Sequence, residues 1–146
     1  MAARFQVTFD AADPHALARW WADLLGYEVE DLHDGVQRLL DDGLLSPEQV
    51  LTVDGRLTFA DATAAGDPGG SGPRLYFQRV PEPAGAKNRV HLDVQLPGDL
   101  DELVERLTAT GATFVRFDSH PGHRWAVLSD PEGNVLCVTP PPPPRG

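Results

Sequence analysis

One piece of sequence grammar is written twice in this chain, and the repetition limits the folds open to it more than any other feature. In the first copy Phe5, Val7 and Phe9 alternate with Gln6, Thr8 and Asp10, the period of two that gives a strand one apolar and one polar face. A helix signal follows at once: Asp13 is a good N-cap, Pro14 suits the first helical position, and Leu17, Trp20, Trp21, Leu24 and Leu25 recur at helical spacing until Gly26. In the second copy Val90, Leu92, Val94 and Leu96 alternate with Arg89, His91, Asp93 and Gln95. There Asp99 and Glu102 make a capping-box-like start, Leu100, Leu103, Val104 and Leu107 form the apolar stripe, and Gly111 closes the helix.

The second copy continues with strand patterns at 112–117, 124–129 and 135–139, the last two joined by the turn formers Asp130-Pro131-Glu132-Gly133-Asn134. It therefore reads β-α-β-β-β. The first copy is longer, with an extended stretch at 27–30, a short helix at 34–45, a turn opened by Ser46-Pro47-Glu48, and strands at 57–60 and 74–80. Residues 61–73, rich in Gly, Ala, Asp and Pro, are expected to form a mobile surface loop. The expectation is an α+β fold in which helices cover the apolar strand faces and the polar faces line a concave surface or cavity. One domain at 4–139 would comprise two modules, 4–80 and 88–139. A proline-rich tail would follow at 140–146.

Composition narrows the partners. Twelve Lys and Arg against 22 Asp and Glu give a net charge of −10, which argues against binding to nucleic acid, where clustered positive charge is needed. Residues 1–70 carry 13 of those acidic side chains and only 4 of the basic ones, a bias that serves solubility. The single cysteine rules out an intramolecular disulfide and any Cys-rich zinc module, in keeping with a reducing, cytoplasmic setting. No signal-peptide pattern opens the chain, and no apolar run approaches the ~20 residues of a membrane helix.

Several runs together resemble a known family: Asp13-Pro14, Trp20-Trp21 and Leu25-Gly26-Tyr27, then 77–83 (FQRVPEP), 87–93 (KNRVHLD) and the Asp130–Asn134 turn. They look like the vicinal oxygen chelate superfamily, more narrowly its glyoxalase-like, bleomycin-resistance-like branch, across 5–139. That resemblance implies paired βαβββ modules enclosing a cavity, often in a homodimer. Its members include metal-dependent isomerases, lyases, dioxygenases and thiol transferases alongside metal-free proteins that sequester antibiotics, so the residues of the site must decide. In metal-dependent relatives the ligands come from the first and last strands of each module. The matching positions here are Gln6, Gln78 or Tyr76, His91 and Cys137, a set without the usual carboxylate, so no metal or other cofactor is expected.

The residues themselves suggest a small-molecule site. His91 and Asp93 share a polar strand face; His91 can orient a ligand or move a proton, and Asp93 can orient His91, act as a base or pair with Arg89. Gln6, Thr8 and Gln78 would orient a ligand, while Phe59, Tyr76 and Trp125 would contact its flat or apolar surface. Cys137 should face the cavity, with Leu136 and Val138 turned to a helix, as either a thiol nucleophile or a small packing residue. Trp20 and Trp21 are read as core. His120 and His123 are read as a solvated loop, and His15 and His33 as surface residues. The chain is thus expected to recognise or sequester a small organic molecule. The alternative is a lyase or isomerase with His91 as the proton-transfer group, with or without a divalent metal.

Overall fold

A computed structural model describes residues 2–141, so most of the expected proline tail lies outside the described residues. Contacts divide the chain after Glu82 into two compact units. The first opens with β1 (Gln6–Ala11), α1 (Pro14–Leu25) and β2 (Glu28–Val29). After an excursion through α2 (His33–Asp41), a 3₁₀ turn (Pro47–Gln49) and the hairpin β3 (Val50–Val53) and β4 (Arg56–Phe59), it returns with β5 (Ala62–Gly66) and β6 (Arg74–Arg79). Its main sheet has the order β1-β6-β5-β2, with β1 and β6 parallel and the hairpin forming a separate two-stranded sheet. The second unit is β7 (Leu92–Gln95), α3 (Leu100–Ala109), β8 (Thr113–His120), β9 (His123–Ser129) and β10 (Val135–Thr139), in the matching order β7-β10-β9-β8.

The capping signals read from sequence act as expected. The Asp13 carboxylate accepts from the Ala16 N–H, and Gly26 ends α1 in the left-handed conformation at φ 68°. Asp99 accepts from the N–H groups of Asp101 and Glu102 at the start of α3. The apolar stripe of α1 packs on β5 and β6 and buries Leu17, Trp20 and Trp21, with Phe77 of β6 beneath. Phe9 stacks on Phe77 at 5.1 Å and tilts against Trp21 at 5.0 Å. Full burial of Phe77 contributes roughly 1.5–3 kcal/mol by removing it from water.

Four expectations need correction. Residues 61–73 are not simply a loop: Ala62–Gly66 is an interior strand with Ala62, Thr63, Ala64 and Ala65 all buried. Alanine is depleted in strands and hid the element, yet its small side chain lets α1 lie close on the sheet. Val90 does not join the apolar strand face, because pairing begins at Leu92 and leaves Val90 80% exposed. His15 is only 9% exposed, its Nε2 2.9 Å from the Phe59 carbonyl, and half-buried His33 accepts the Leu57 N–H on Nδ1 at 2.9 Å. Finally, His120 and His123 are paired ends of β8 and β9 rather than an open loop.

The hairpin itself had a readable signal. Asp54-Gly55 sits between alternating residues, and both have positive φ (49° and 75°), the conformation of a type I′ two-residue turn.

Candidate functional site

Parallel pairing of β7 with β10 sets Asp93 directly beside Cys137, and antiparallel pairing of β10 with β9 sets Cys137 beside Val127. Strand alternation puts Asp93, Cys137, Thr139, His123 and Trp125 on one face, and with His91, the residue just before β7, they line a cavity of about 210 Å³. The other face of β10 sends Leu136 and Val138 into the core, both fully buried. Small-molecule pockets usually measure about 300–1,000 Å³, so this hollow suits a ring-sized group.

The polar floor is a linked set. His91 Nε2 stands 3.2 Å from Asp93 Oδ1, with the two side chains 40% and 71% exposed. Asp93 therefore pairs with His91, whereas Arg89 was the alternative partner. Burial pushes the Cys137 thiol above its ordinary value, and the charge of Asp93 and its hydrogen bond with the thiol push in the same direction. A thiol so placed is a poor free nucleophile, since only the thiolate attacks. Thr139 Oγ1 lies 3.5 Å from His123 Nε2 and 3.4 Å from the Arg124 carbonyl.

Trp125 makes the apolar wall. The His120 ring lies 5.1 Å from it and the His123 ring 5.4 Å, centroid to centroid. Arg124, next along β9, points the other way: it lies 3.9 Å over the Phe117 ring and pairs with Asp101 of α3 at 3.2 Å. The alternation thus separates a ligand-facing row from a row that ties the hairpin to its helix.

The segment entering β7 is held by a side chain outside the pocket. Asn88 Oδ1 accepts the Val135 N–H at 2.7 Å, and its Nδ2 donates to Asn134 Oδ1 at 3.2 Å. Asn134 in turn donates to Asp130, whose carboxylate also accepts the N–H groups of Glu132 and Asn134. The turn formers of 130–134 therefore anchor His91 indirectly, through Asn88 three residues before it.

The remaining expected residues lie in the first unit. Gln6, Thr8, Arg74, Tyr76 and Gln78 share the polar face of β1 and β6, where the register sets Gln6 beside Arg74, Thr8 beside Tyr76 and Asp10 beside Gln78. Gln6 Oε1 accepts from Arg74 at 3.1 Å, and Gln78 Nε2 donates to Asp10 at 2.9 Å. Arg74 also forks onto Glu30 at 2.6 and 2.7 Å and covers Tyr76 at 5.7 Å. Phe59 lies on β4 of the separate hairpin. A larger, shallow hollow of about 800 Å³ borders Arg4, Phe5, Gln6 and Arg74, but the guanidinium of Arg74 is already engaged.

Of the expected site residues, four come together in the second unit: His91, Asp93, Trp125 and Cys137. Sequence reasoning missed His123 and Thr139 as lining residues. The signal for Thr139 was its phase with Cys137, and for His123 its phase with Trp125.

The ligand set implied for a metal by the resemblance does not fit these residues. Gln6 gives its carbonyl to Arg74, and Gln78, whose Nε2 donates to Asp10, offers only a neutral amide oxygen, a weak ligand where a strong donor is needed.

Comparison with known proteins follows the same architecture. The family model of the glyoxalase-like domain matches residues 6–139. No curated protein matches the chain. Among solved structures, the fosfomycin resistance protein FosX from Mesorhizobium loti is similar at TM-score 0.60 and 11% identity, over 98% of this chain and 94% of its own. A bleomycin-binding protein from bleomycin-producing Streptomyces verticillus, in complex with copper(II)-bleomycin, has TM-score 0.54 and 16% identity over 97% and 98%. A glyoxalase/bleomycin resistance/dioxygenase family enzyme from Burkholderia phytofirmans has TM-score 0.57 and 20% identity over 92% and 95%. Likeness at these identities speaks to fold.

Proposed function

The chain belongs to the glyoxalase-like domain family of the vicinal oxygen chelate superfamily, and from that premise we propose that it binds a small, flat, partly polar organic molecule in the pocket of its second unit. The observation that supports the reading is that Trp125 and His123 line the same ring-sized hollow as the His91–Asp93 pair, with the His120 ring packed against Trp125. Aromatic rings hold planar groups by offset or edge contact worth about 0.5–1.5 kcal/mol beyond burial, and a few convergent polar groups set orientation. Solved relatives that bind bleomycin or confer fosfomycin resistance are consistent with this use of the fold. A homodimer belongs to the same reading, as the family resemblance implies, and a cytoplasmic setting, as the single cysteine suggests.

Calorimetric titration with para-nitrophenol and a panel of small heteroaryl amides tests it. Saturable binding is expected, weakened about tenfold in Trp125→Ala, with far-UV circular dichroism unchanged. No saturable heat across the panel, or equal affinity in Trp125→Ala, refutes it.

The His91–Asp93 contact favours a second reading, in which the imidazole moves a proton on the bound molecule as in a lyase or isomerase. A ligand recovered chemically altered from the native protein and intact from His91→Ala supports that reading. Recovery intact from both leaves binding alone.

A further inference from the structure

We infer that the molecule selected by the pocket of the second unit is a flat organic cation bearing N–H groups, of the amidinium or aminopyridinium class, and that an aryl carboxylate of the same shape is rejected. That identity rests on a planar group packing against Trp125, as proposed above, and adds the charge and the hydrogen-bonding sense of that group. It follows from where the protons of the lining side chains go.

A neutral imidazole has one N–H and one bare nitrogen, and its neighbours decide which is which. His91 Nε2 stands 3.2 Å from Asp93 Oδ1. A bare nitrogen there would set its lone pair against a carboxylate, so Nε2 holds the proton and Nδ1 is left as an acceptor. The Thr139 hydroxyl lies 3.2 Å from the Pro140 carbonyl and 3.4 Å from that of Arg124, groups that only accept, so its proton goes to one of them. Its oxygen then accepts from His123 Nε2 at 3.5 Å, which makes the second Nδ1 an acceptor too. The Cys137 thiol donates to Asp93. Of the side chains lining the hollow, Trp125 alone keeps an N–H to give, while two imidazole nitrogens and the exposed Asp93 carboxylate are set to receive.

Charge points the same way. Asp93 is negative, and the arginines of β8 and β9 are already matched, Arg116 with Asp118 at 2.9 Å and Arg124 with Asp101 at 3.2 Å. An entering carboxylate would meet the Asp93 charge and two bare nitrogens, all of which repel it. An amidinium or aminopyridinium brings N–H donors in its own plane to those acceptors. Its delocalised positive charge suits Asp93 and also the face of the Trp125 ring, which attracts cations.

Calorimetric titration of the full chain at pH 8 with benzamidine, benzamide and benzoate, molecules of one shape that are positive, neutral and negative, tests the proposal. Affinity is expected to fall in that order, with benzamidine at least about tenfold tighter than benzoate, the scale of a hydrogen bond to a charged group. Asp93→Asn keeps the shape of the side chain and should weaken benzamidine by about tenfold while changing benzamide by less than about threefold. Added salt should weaken benzamidine and leave benzamide unchanged, because Asp93 is open to solvent. Circular dichroism and thermal melting show whether the variant folds, and the comparison of the three ligands in the native protein does not depend on it. Benzoate binding as tightly as benzamidine, or benzamidine unaffected by Asp93→Asn, overturns the proposed charge preference and leaves the flat-ligand reading in place. Saturable heat from none of the three overturns that reading and the charge preference together.

Discussion

Replacing Asn88 with Ala should loosen the second unit at the strand that carries Cys137. The substitution removes two hydrogen bonds, from the Val135 N–H at 2.7 Å and to Asn134 Oδ1 at 3.2 Å, both partly buried. Each bond contributes about 0.5–1.5 kcal/mol net, and an N–H left without an acceptor at a partly buried site adds up to about 1–3 kcal/mol, trimmed by water that can reach it. The expected loss is about 2–4 kcal/mol. At about 2–4 °C per kcal/mol for a chain near this size, Tm should fall by roughly 5–15 °C. Thermal melting gives the global figure, and hydrogen exchange locates it: the Val135 amide should lose protection beyond the loss at the core amide of Leu128. Asn88→Asp keeps the acceptor for Val135 but removes the donor to Asn134, so it should fall between native and Ala. A Tm within about 2 °C of native, with Val135 protection intact, would refute the assignment of Asn88 as the anchor of this strand.

Two further predictions concern the loop between β5 and β6. A Cβ on Gly72 would fall inside the van der Waals shell of the Tyr27 hydroxyl and 3.0 Å from Tyr27 Cζ, so Gly72→Ala should cost about 1–3 kcal/mol. Tyr27→Phe in the same chain should restore part of that loss, and strictly additive melting data would show that the clash is not the cause. The Asp67 carboxylate accepts the N–H groups of Gly69, Ser71 and Gly72, and these bonds, Gly72 first, hold its pKa below the ordinary carboxylate value. Its folded value lies under its unfolded value, so its stabilisation is complete above about pH 4 and is lost as pH falls through the lower folded value. Asp67→Asn should therefore melt earlier than native near neutral pH, with the gap closing in acid; a gap independent of pH would contradict the carboxylate's role.

Much of the fold was legible because its signals are local. Asp13-Pro14 and Gly26 bound α1 by capping chemistry that needs no partner beyond the next turn, and Trp20 and Trp21 follow from helical spacing. The strand Val135–Thr139 appears in the structure with the bounds its alternation suggested. Ala62–Gly66 was not legible: its residues favour a strand only because the interior of a sheet, covered by α1, surrounds them. His15 looked like a first-turn surface residue, and its burial depends on the Phe59 carbonyl, far along the chain.

The site divides in the same way. Sequence alone determined that Cys137 and Thr139 share one strand face, because side chains two residues apart on a strand point together, whereas His91 lies just before β7 and meets Asp93 at 3.2 Å only in the folded chain. Which faces meet was decided only by tertiary structure. Parallel register between β7 and β10 brings Asp93 to Cys137, and the β8–β9 hairpin brings His120 and His123 to Trp125. A slip of one residue in that register would turn Cys137 into the core and Leu136 outward, so the apolar burial of Leu136 and Val138 is what holds the polar cluster in place.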